Sequence, residues 1–267
     1  MVYTFKMIAV LRKFDYSGKW LGIGAWLLVL LLCVGMAESQ LSKQQCNNLL
    51  VKVDYDSGVR FISKSDIEKI LTDNGNHPIH GNRQKNIQLK LLEKRIRENK
   101  LIKDCQVYHD LDGNLVVDVE QEKPLARWIN TSQNGEWRKS NGFYINAEGD
   151  FIPLSDRYSA RVLLVSGSFF QNTKNLGSSK GKSVLEMISY LNENPFWRAQ
   201  IIQMQVSKAG DVELFTALGD QRIEFGKSDN FDVKLSKLRV FYKKVMASDW
   251  SRYSKVSVKF QDQIVCE

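Results

Sequence analysis

Residues 177–183, with sequence GSSKGKS, end in the Gly-Lys-Ser triplet that closes a phosphate-binding loop. Such a loop has four residues between its two glycines, so that successive backbone N–H groups surround the phosphates. Here only three residues separate the glycines, and Leu176 stands where the first glycine is required. The sequence therefore predicts no nucleotide binding, and we interpret the segment as a loop that Ser183 caps at the start of a helix.

The other side chains that could ligate metals or transfer protons are scattered along the chain. His77 and His80 are three residues apart, but Pro78 between them prevents the helix that would place both on one face. Glu120 and Glu122 alternate in a stretch that we interpret as an exposed linker. We therefore predict no catalytic residue, no metal and no cofactor, and the chain is predicted not to be an enzyme.

The cysteines do not form a recognisable framework. Three of them lie outside the apolar segment described next: Cys46, Cys105 and Cys266. Their wide spacing does not predict a set of disulfides, although one pair could form in an oxidising compartment. The sequence does not specify which pair that would be.

An uncharged apolar segment at residues 20–37, WLGIGAWLLVLLLCVGMA, positions everything that follows it. At about 1.5 Å of rise per residue its eighteen residues form a helix of roughly 27 Å, close to the thickness of a bilayer core. Residues 1–19 before it carry four basic side chains and one acid. Because basic flanks stay in the cytoplasm, we predict a cytoplasmic tail at 1–19, a single transmembrane helix at 20–37 in the inner membrane, and export of the remainder to the periplasm.

A cleaved signal peptide is the alternative for this segment. Its apolar core would be residues 27–34, followed by small residues at 35–37 where cleavage would occur. The long basic leader and the length of the apolar run favour a retained anchor. In both cases the larger part of the chain is exported, and nucleic acid is then not expected as the partner of its net charge of +8.

The exported part divides into a stalk at 38–48 and two domains. In residues 49–122, a strand at 50–53 precedes a helix that starts at a capping box formed by Ser63 and Asp66. A basic amphipathic helix at 86–99 follows, and then two alternating strands around Asp112-Gly113. The order β-α-α-β-β predicts a compact α+β domain with two helices on one face of a small sheet.

Residues 123–267 predict a second domain, β-rich and mixed with two helices. Short strands and turn signals alternate from residue 127 to residue 225, and helices are predicted at 183–194, ending before Pro195, and at 232–247. A last strand is predicted at 253–265. The fold class is therefore α+β throughout.

Several short sequences in this second domain have a recognisable pattern. Residues 121–126 read QEKPLA, residues 144–149 read YINAEG and are followed by IPL, and residues 164–167 read LVSG. With the basic tail, the anchor and the β-α-α-β-β domain, they resemble the FtsQ/DivIB family of bacterial division proteins. Gln121 stands where that family commonly has glutamate, and Asn146 where it has aspartate, which is typical of a divergent branch.

The resemblance implies a fold and a function. Residues 49–122 would be a POTRA domain and residues 123–267 the β domain of the family. The protein would be a non-enzymatic, bitopic scaffold of the divisome, enriched at the septum, which links FtsB/FtsL-type partners to septal peptidoglycan synthesis. Two alternatives stay open: an exported POTRA-containing module that assembles outer-membrane or envelope proteins, and an enzyme whose site the sequence does not display.

The predicted last strand is the candidate partner site. Its residues alternate between two faces, and a strand at the end of the chain easily becomes an edge that accepts a partner strand. Family resemblance supports this position. The expected partner-binding residues are Tyr253, Lys255, Val256, Ser257, Val258, Lys259, Phe260 and Gln261. We expect Lys255 and Lys259 to select an acidic partner segment, with binding that weakens in salt.

Overall fold

The computed structural model describes residues 25–35, 45–130, 142–173, 175–246 and 252–267. Residues 25–35 form helix α1, and its large apolar side chains are exposed. Within the described ranges, no helix combines the length and the apolar character needed to cross a membrane. The predicted span at 20–37 extends past α1 at both ends, so its ends lie outside the described residues, as do the tail and most of the stalk.

Residues 49–121 form the predicted β-α-α-β-β series, which is confirmed. Its elements are β1 Leu49–Val53, α2 Lys64–Thr72, α3 Leu89–Arg97, β2 Ile102–His109 and β3 Leu115–Gln121, with the strands in the order β1-β3-β2. The capping box before α2 is also confirmed. The backbone N–H of Ser63 donates to Oδ2 of Asp66 at 2.9 Å, and the N–H of Asp66 donates to Oγ of Ser63 at 3.3 Å.

The remaining elements build a nine-stranded mixed sheet with helices. They are β4 Ala126–Ile129, β5 Gly142–Ile145, β6 Phe151–Pro153, β7 Leu163–Ser166, α4 Lys182–Glu193, α5 Pro195–Gln200, β8 Ile201–Val206, β9 Asp211–Thr216, β10 Arg222–Lys227, α6 Phe231–Lys244, β11 Lys255–Ser257 and β12 Val265–Cys266. The strand order is β12-β11-β10-β9-β8-β7-β4-β5-β6. Strands β4, β7 and β8 are parallel neighbours, and β10 and β11 are also parallel.

One expectation for the helices is wrong, and one helix was not expected. Helix α4 ends at Glu193, before Pro195 as expected, but Pro195 also begins α5, where Oδ1 of Asn194 accepts from the N–H groups of Phe196 and Trp197 at 3.1 and 3.4 Å. Proline fits the first helical turn because the N–H that it lacks would have no helical partner there. Ser183 does not cap α4; the cap position is Gly181, and Oγ of Ser183 lies 2.8 Å from Oγ of Ser228.

The core of this part lies between the sheet and helices α4 and α6. Val184 and Ile188 of α4, Leu235 and Leu238 of α6, and strand residues such as Met204 share one buried hydrophobic cluster. Full burial of such side chains contributes about 1.5–3 kcal/mol each. The helices thereby fix the register of the strands that lead to the open end of the sheet.

The chain divides into two compact units. Among described residues, the first contains 25–35, 45–52, Glu68–Arg95 and Gln106–Asp118. The second contains Val53–Ile67, Ile96–Cys105 and the described part of Val119–Glu267. Residues 53–67 therefore belong to the same compact unit as the nine-stranded sheet.

Candidate partner-binding edge of the sheet

The predicted strand at 253–265 is not continuous, and this expectation is corrected. The segment forms β11 at Lys255–Ser257, leaves the sheet, and returns as β12 at Val265–Cys266. Strand β11 pairs with β10 on one side and with β12 on the other. The edge of the sheet at this end is therefore β12, and β11 is an interior strand.

A lysine from α6 accounts for the break. Nζ of Lys237 donates to the backbone carbonyl groups of Phe260, Gln261 and Gln263, the last two at 3.3 Å. The ammonium thereby satisfies three carbonyl groups of a segment that lies outside the sheet. Burial lowers the pKa of Lys237, with Asp262 opposing that shift. The loop at 258–264 is thus held by a contact that no local sequence pattern contains.

The end of the chain closes over β11. The N–H groups of Ser254 and Lys255 donate to the backbone carbonyl of Glu267 at 2.9 and 3.1 Å, and the N–H of Glu267 donates back to the carbonyl of Lys255 at 2.9 Å. These bonds satisfy the backbone groups that an edge at β11 would have left open. The last residues of the chain occupy the position that we assigned to a partner.

The two lysines expected to select an acidic partner already contact carboxylates of the chain. Nζ of Lys255 lies 3.2 Å from Glu224 and 3.5 Å from Glu267, and Nζ of Lys259 lies 3.3 Å from Glu224. The hydrogen bond from Lys255 is the main cause that lowers the pKa of Glu224, and Lys259 acts in the same direction. These side chains form a local network of two cations and two carboxylates.

The eight candidate residues differ in exposure. Val256 and Val258 are fully buried and Ser257 is nearly so, which makes them part of the core. Tyr253 is half-buried, with its ring 6.2 Å from that of Phe241. The half of the set that reaches solvent consists of Lys255, Lys259, Phe260 and Gln261, and Phe260 is 50% exposed. Val265 of β12, which we did not select from the sequence, is 39% exposed at the true edge.

Gln121, the residue that departs from the family pattern, is 2% exposed and joins three backbone groups. Its Nε2 donates to the carbonyls of Asp54 and Val59 at 2.8 and 3.2 Å, and its Oε1 accepts from the N–H of Ile62 at 3.0 Å. An amide supplies both donors and an acceptor, whereas a carboxylate would supply acceptors only. Gln121 thus holds residues 54–62 against the end of β3.

Further contacts within the same compact unit join segment 53–67 to residues 144–158. Phe61 is buried, with its ring 5.1 Å from that of Tyr144 and 5.8 Å from that of Tyr158. The carbonyl of Phe61 accepts from Oγ of Ser155 at 3.2 Å, and Arg157 pairs with Asp66 at 3.2 Å. Segment 53–67 is therefore anchored to the β5–β7 region by apolar, polar and ionic contacts.

Asn146, which stands where the family has aspartate, lies in the turn between β5 and β6. Its Oδ1 accepts from the N–H of Asp150 at 2.8 Å, as an aspartate oxygen could, while its amide donates to Glu122 at 3.3 Å. Burial raises the pKa of Glu122, and the bond from Asn146 opposes that rise. An aspartate here would place a second carboxylate beside Glu122, so the asparagine suits this pair.

The remaining candidates for chemistry stay apart. Ser179 lies at the centre of a Gly-Ser-Ser-Lys-Gly sequence that matches the pattern of a hydrolase nucleophile, but it is exposed in a turn and does not directly follow a strand as that mechanism requires. His77 contacts Asp73 at 3.4 Å. In the ranges that the structure describes, no three His, Cys, Asp or Glu side chains are grouped as for a metal, and Cys33, Cys46 and Cys266 form no disulfide.

Comparison with known proteins gives two matches in separate parts of the chain. The family model described as FtsQ/DivIB, C-terminal related, matches residues 136–267, and the model of a POTRA-like domain matches residues 44–120. Both are families of non-catalytic scaffold domains. No curated protein matches the chain. Together, the two matches support an FtsQ/DivIB-like family assignment for the chain.

Proposed function

We propose that the protein is a non-enzymatic, bitopic membrane scaffold of the bacterial divisome, which links FtsB/FtsL-type partners to septal peptidoglycan synthesis. The observation that carries the proposal is the open end of the nine-stranded sheet at β12, within the FtsQ/DivIB-related match. An extended partner segment would add there as a further strand, with its backbone providing affinity and its side chains selectivity.

The two ends of the sheet differ in their suitability for such a partner. Both edge strands are short, with three residues in β6 and two in β12, but β6 includes Pro153, which has no N–H to donate. Strand β12 has no proline, and Phe260 in the loop that precedes it is 50% exposed. Aromatic side chains that are partly exposed are common anchors in interfaces. We therefore assign the partner strand to β12, with Phe260 and Val265 as its apolar contacts.

The charge network changes the expected selectivity. Glu224 and Glu267 offset the charges of Lys255 and Lys259, so an acidic partner would compete with these contacts. Exposed ion pairs contribute little, about 0–1 kcal/mol each, so such exchange is feasible. Salt should then weaken partner binding only modestly. An acidic partner would replace the carboxylates that already pair with the two lysines, so the number of ion pairs would change little.

For the N-terminal segment we propose retention as a transmembrane anchor at 20–37. Helix α1 at 25–35 lies inside this segment and leaves its apolar side chains exposed, as lipid contact requires. The basic residues of the 1–19 tail would hold the N-terminus in the cytoplasm.

Localisation of a fluorescently tagged full chain tests the function. A division scaffold is expected to concentrate at mid-cell before constriction, and a variant without residues 20–37 is expected to lose that focus. An outer-membrane assembly module would instead follow the whole cell outline. Uniform peripheral fluorescence of the full chain through the cell cycle would contradict the division role, and a mature N-terminus near residue 38 would contradict retention of the anchor.

A further inference from the structure

A cavity of about 470 Å³ opens where the parallel strands β4, β7 and β8 begin. Aliphatic side chains from three elements form part of its wall, among them Leu163, Leu191 and Ile201. Its volume is within the range of about 300–1,000 Å³ that is usual for ligand sites. The charged groups on the wall are three guanidinium groups, those of Arg127, Arg161 and Arg198.

Among the described residues, no carboxylate pairs with these three arginines. Three arginines outside the cavity, Arg97, Arg157 and Arg222, each pair with an aspartate or glutamate within 3.2 Å. Across the described part of the chain, no ion pair involves an arginine of the cavity, and no Asp or Glu lines the wall. Like charges that share a concave site raise its potential and attract an anion.

Arg127 is held in position toward the cavity. Its Nη1 donates to Oγ of Ser159 at 3.0 Å, and its guanidinium carbon lies 5.9 Å from the centre of the Tyr144 ring. Its Nε is buried and has no hydrogen-bond partner among the described residues. The contacts with Ser159 and Tyr144 hold the guanidinium group of Arg127 in place at the cavity wall.

We propose that this cavity binds an acidic peptide segment, with Asp or Glu carboxylates against the three arginines and aliphatic side chains against the wall. Guanidinium forks match carboxylates and phosphates alike. Phosphate sites, however, usually rely on glycine-rich backbone N–H groups or a helix N-terminus, and this wall contains no glycine. The mixture of cations and aliphatic side chains suits a peptide that alternates acidic and aliphatic residues.

The site is separate from the candidate edge. The nearest of its strands, β8, is four places from β12 in the sheet order. Peptide binding at the cavity therefore does not depend on a partner at β12. The cavity would provide a second contact for a protein bound at that edge. Two contacts on one partner raise the effective affinity because the second forms at high local concentration.

Fluorescence anisotropy of a labelled Leu-Glu-Leu-Glu-Leu-Glu peptide on the full chain in neutral detergent tests the proposal. The double variant Arg161→Gln/Arg198→Gln removes two exposed guanidinium groups, and the dissociation constant is expected to rise about tenfold for each. The matched control, Arg83→Gln/Arg252→Gln, removes the same two charges at exposed residues outside the cavity and should leave binding unchanged. A Leu-Gln repeat of the same length should bind weakly to every variant.

The other outcomes are also decisive. Equal peptide affinity for the wild type and the double variant, with retained far-UV circular dichroism, would overturn the cavity assignment. An equal loss in Arg83→Gln/Arg252→Gln would show that only net charge matters and would overturn the cavity assignment as well. Inorganic phosphate and phosphatidylglycerol vesicles are each tested as competitors of the labelled peptide. If either displaces it as effectively as the unlabelled peptide does, the choice of a carboxylate ligand is overturned.

Discussion

Replacement of Gln121 by glutamate is expected to destabilise the protein by about 3 kcal/mol or more. The introduced carboxylate would be buried and would face the carbonyls of Asp54 and Val59, which now accept hydrogen bonds from the amide. Both donors are lost and a charge is desolvated, so the two costs add. Chemical unfolding of the full chain in detergent, followed by tryptophan fluorescence, measures the change.

The pH dependence of this variant identifies the cause. Burial beside carbonyl oxygens raises the pKa of a carboxyl group in the folded state, so the penalty is largest above that pKa and shrinks as the pH falls through it. The matched control is Gln88→Glu, the same change at an exposed residue before α3, where we expect almost no loss. Equal stability of Gln121→Glu and the wild type at neutral pH would contradict the role given to Gln121.

Replacement of Gly167 by alanine is expected to cost about 2–4 kcal/mol, from strained backbone and displaced strands together. Gly167 has φ +107, and an added Cβ would lie 2.0 Å from the carbonyl oxygen of Val206. The chain would have to move β7 away from β8, where Ser166 and Gln205 are paired. This close approach gives a physical reason for glycine at the end of the LVSG sequence.

A second glycine distinguishes the cost of backbone strain from the cost of a steric clash between an added Cβ and a neighbouring strand. Gly210 also has a positive φ, +83, but an added Cβ would meet nothing within 4 Å. Gly210→Ala should therefore cost only about 1 kcal/mol. Thermal unfolding of both variants decides the matter: similar melting temperatures would contradict the close approach of Gly167 to β8.

The elements that the sequence predicted well are those fixed by local patterns. Ser63 and Asp66 predict the start of α2, and Asp112-Gly113 predicts the turn of the β2–β3 hairpin. Both signals can be recognised in the sequence because they involve residues only a few positions apart. The start of α5 was missed because Pro195 was read only as a stop signal. Asn194 before it, a strong N-cap residue, was the signal that could have revealed the helix.

The edge of the sheet could not be located from sequence because distant contacts decide it. The alternation at 253–265 is that of one strand, but Lys237, more than twenty residues earlier, removes residues 258–264 from the sheet. Lys255 and Lys259 were read as free charges, since nothing local indicates Glu224 as their partner. Gln121 was recognised as a departure from the family, but its three backbone partners appear only in the folded chain.

The most direct test of the central claim is photocrosslinking in living cells. A photoreactive amino acid is placed at Val265 of β12 or at Phe260 in the loop before it, both exposed apolar residues. Each is expected to yield an adduct with a small single-span division protein, identified by mass spectrometry. The same substitution at Leu111, which is fully exposed in the loop between β2 and β3, should yield no such adduct. Absence of the adduct at both edge positions, or an equal yield at Leu111, would contradict the account.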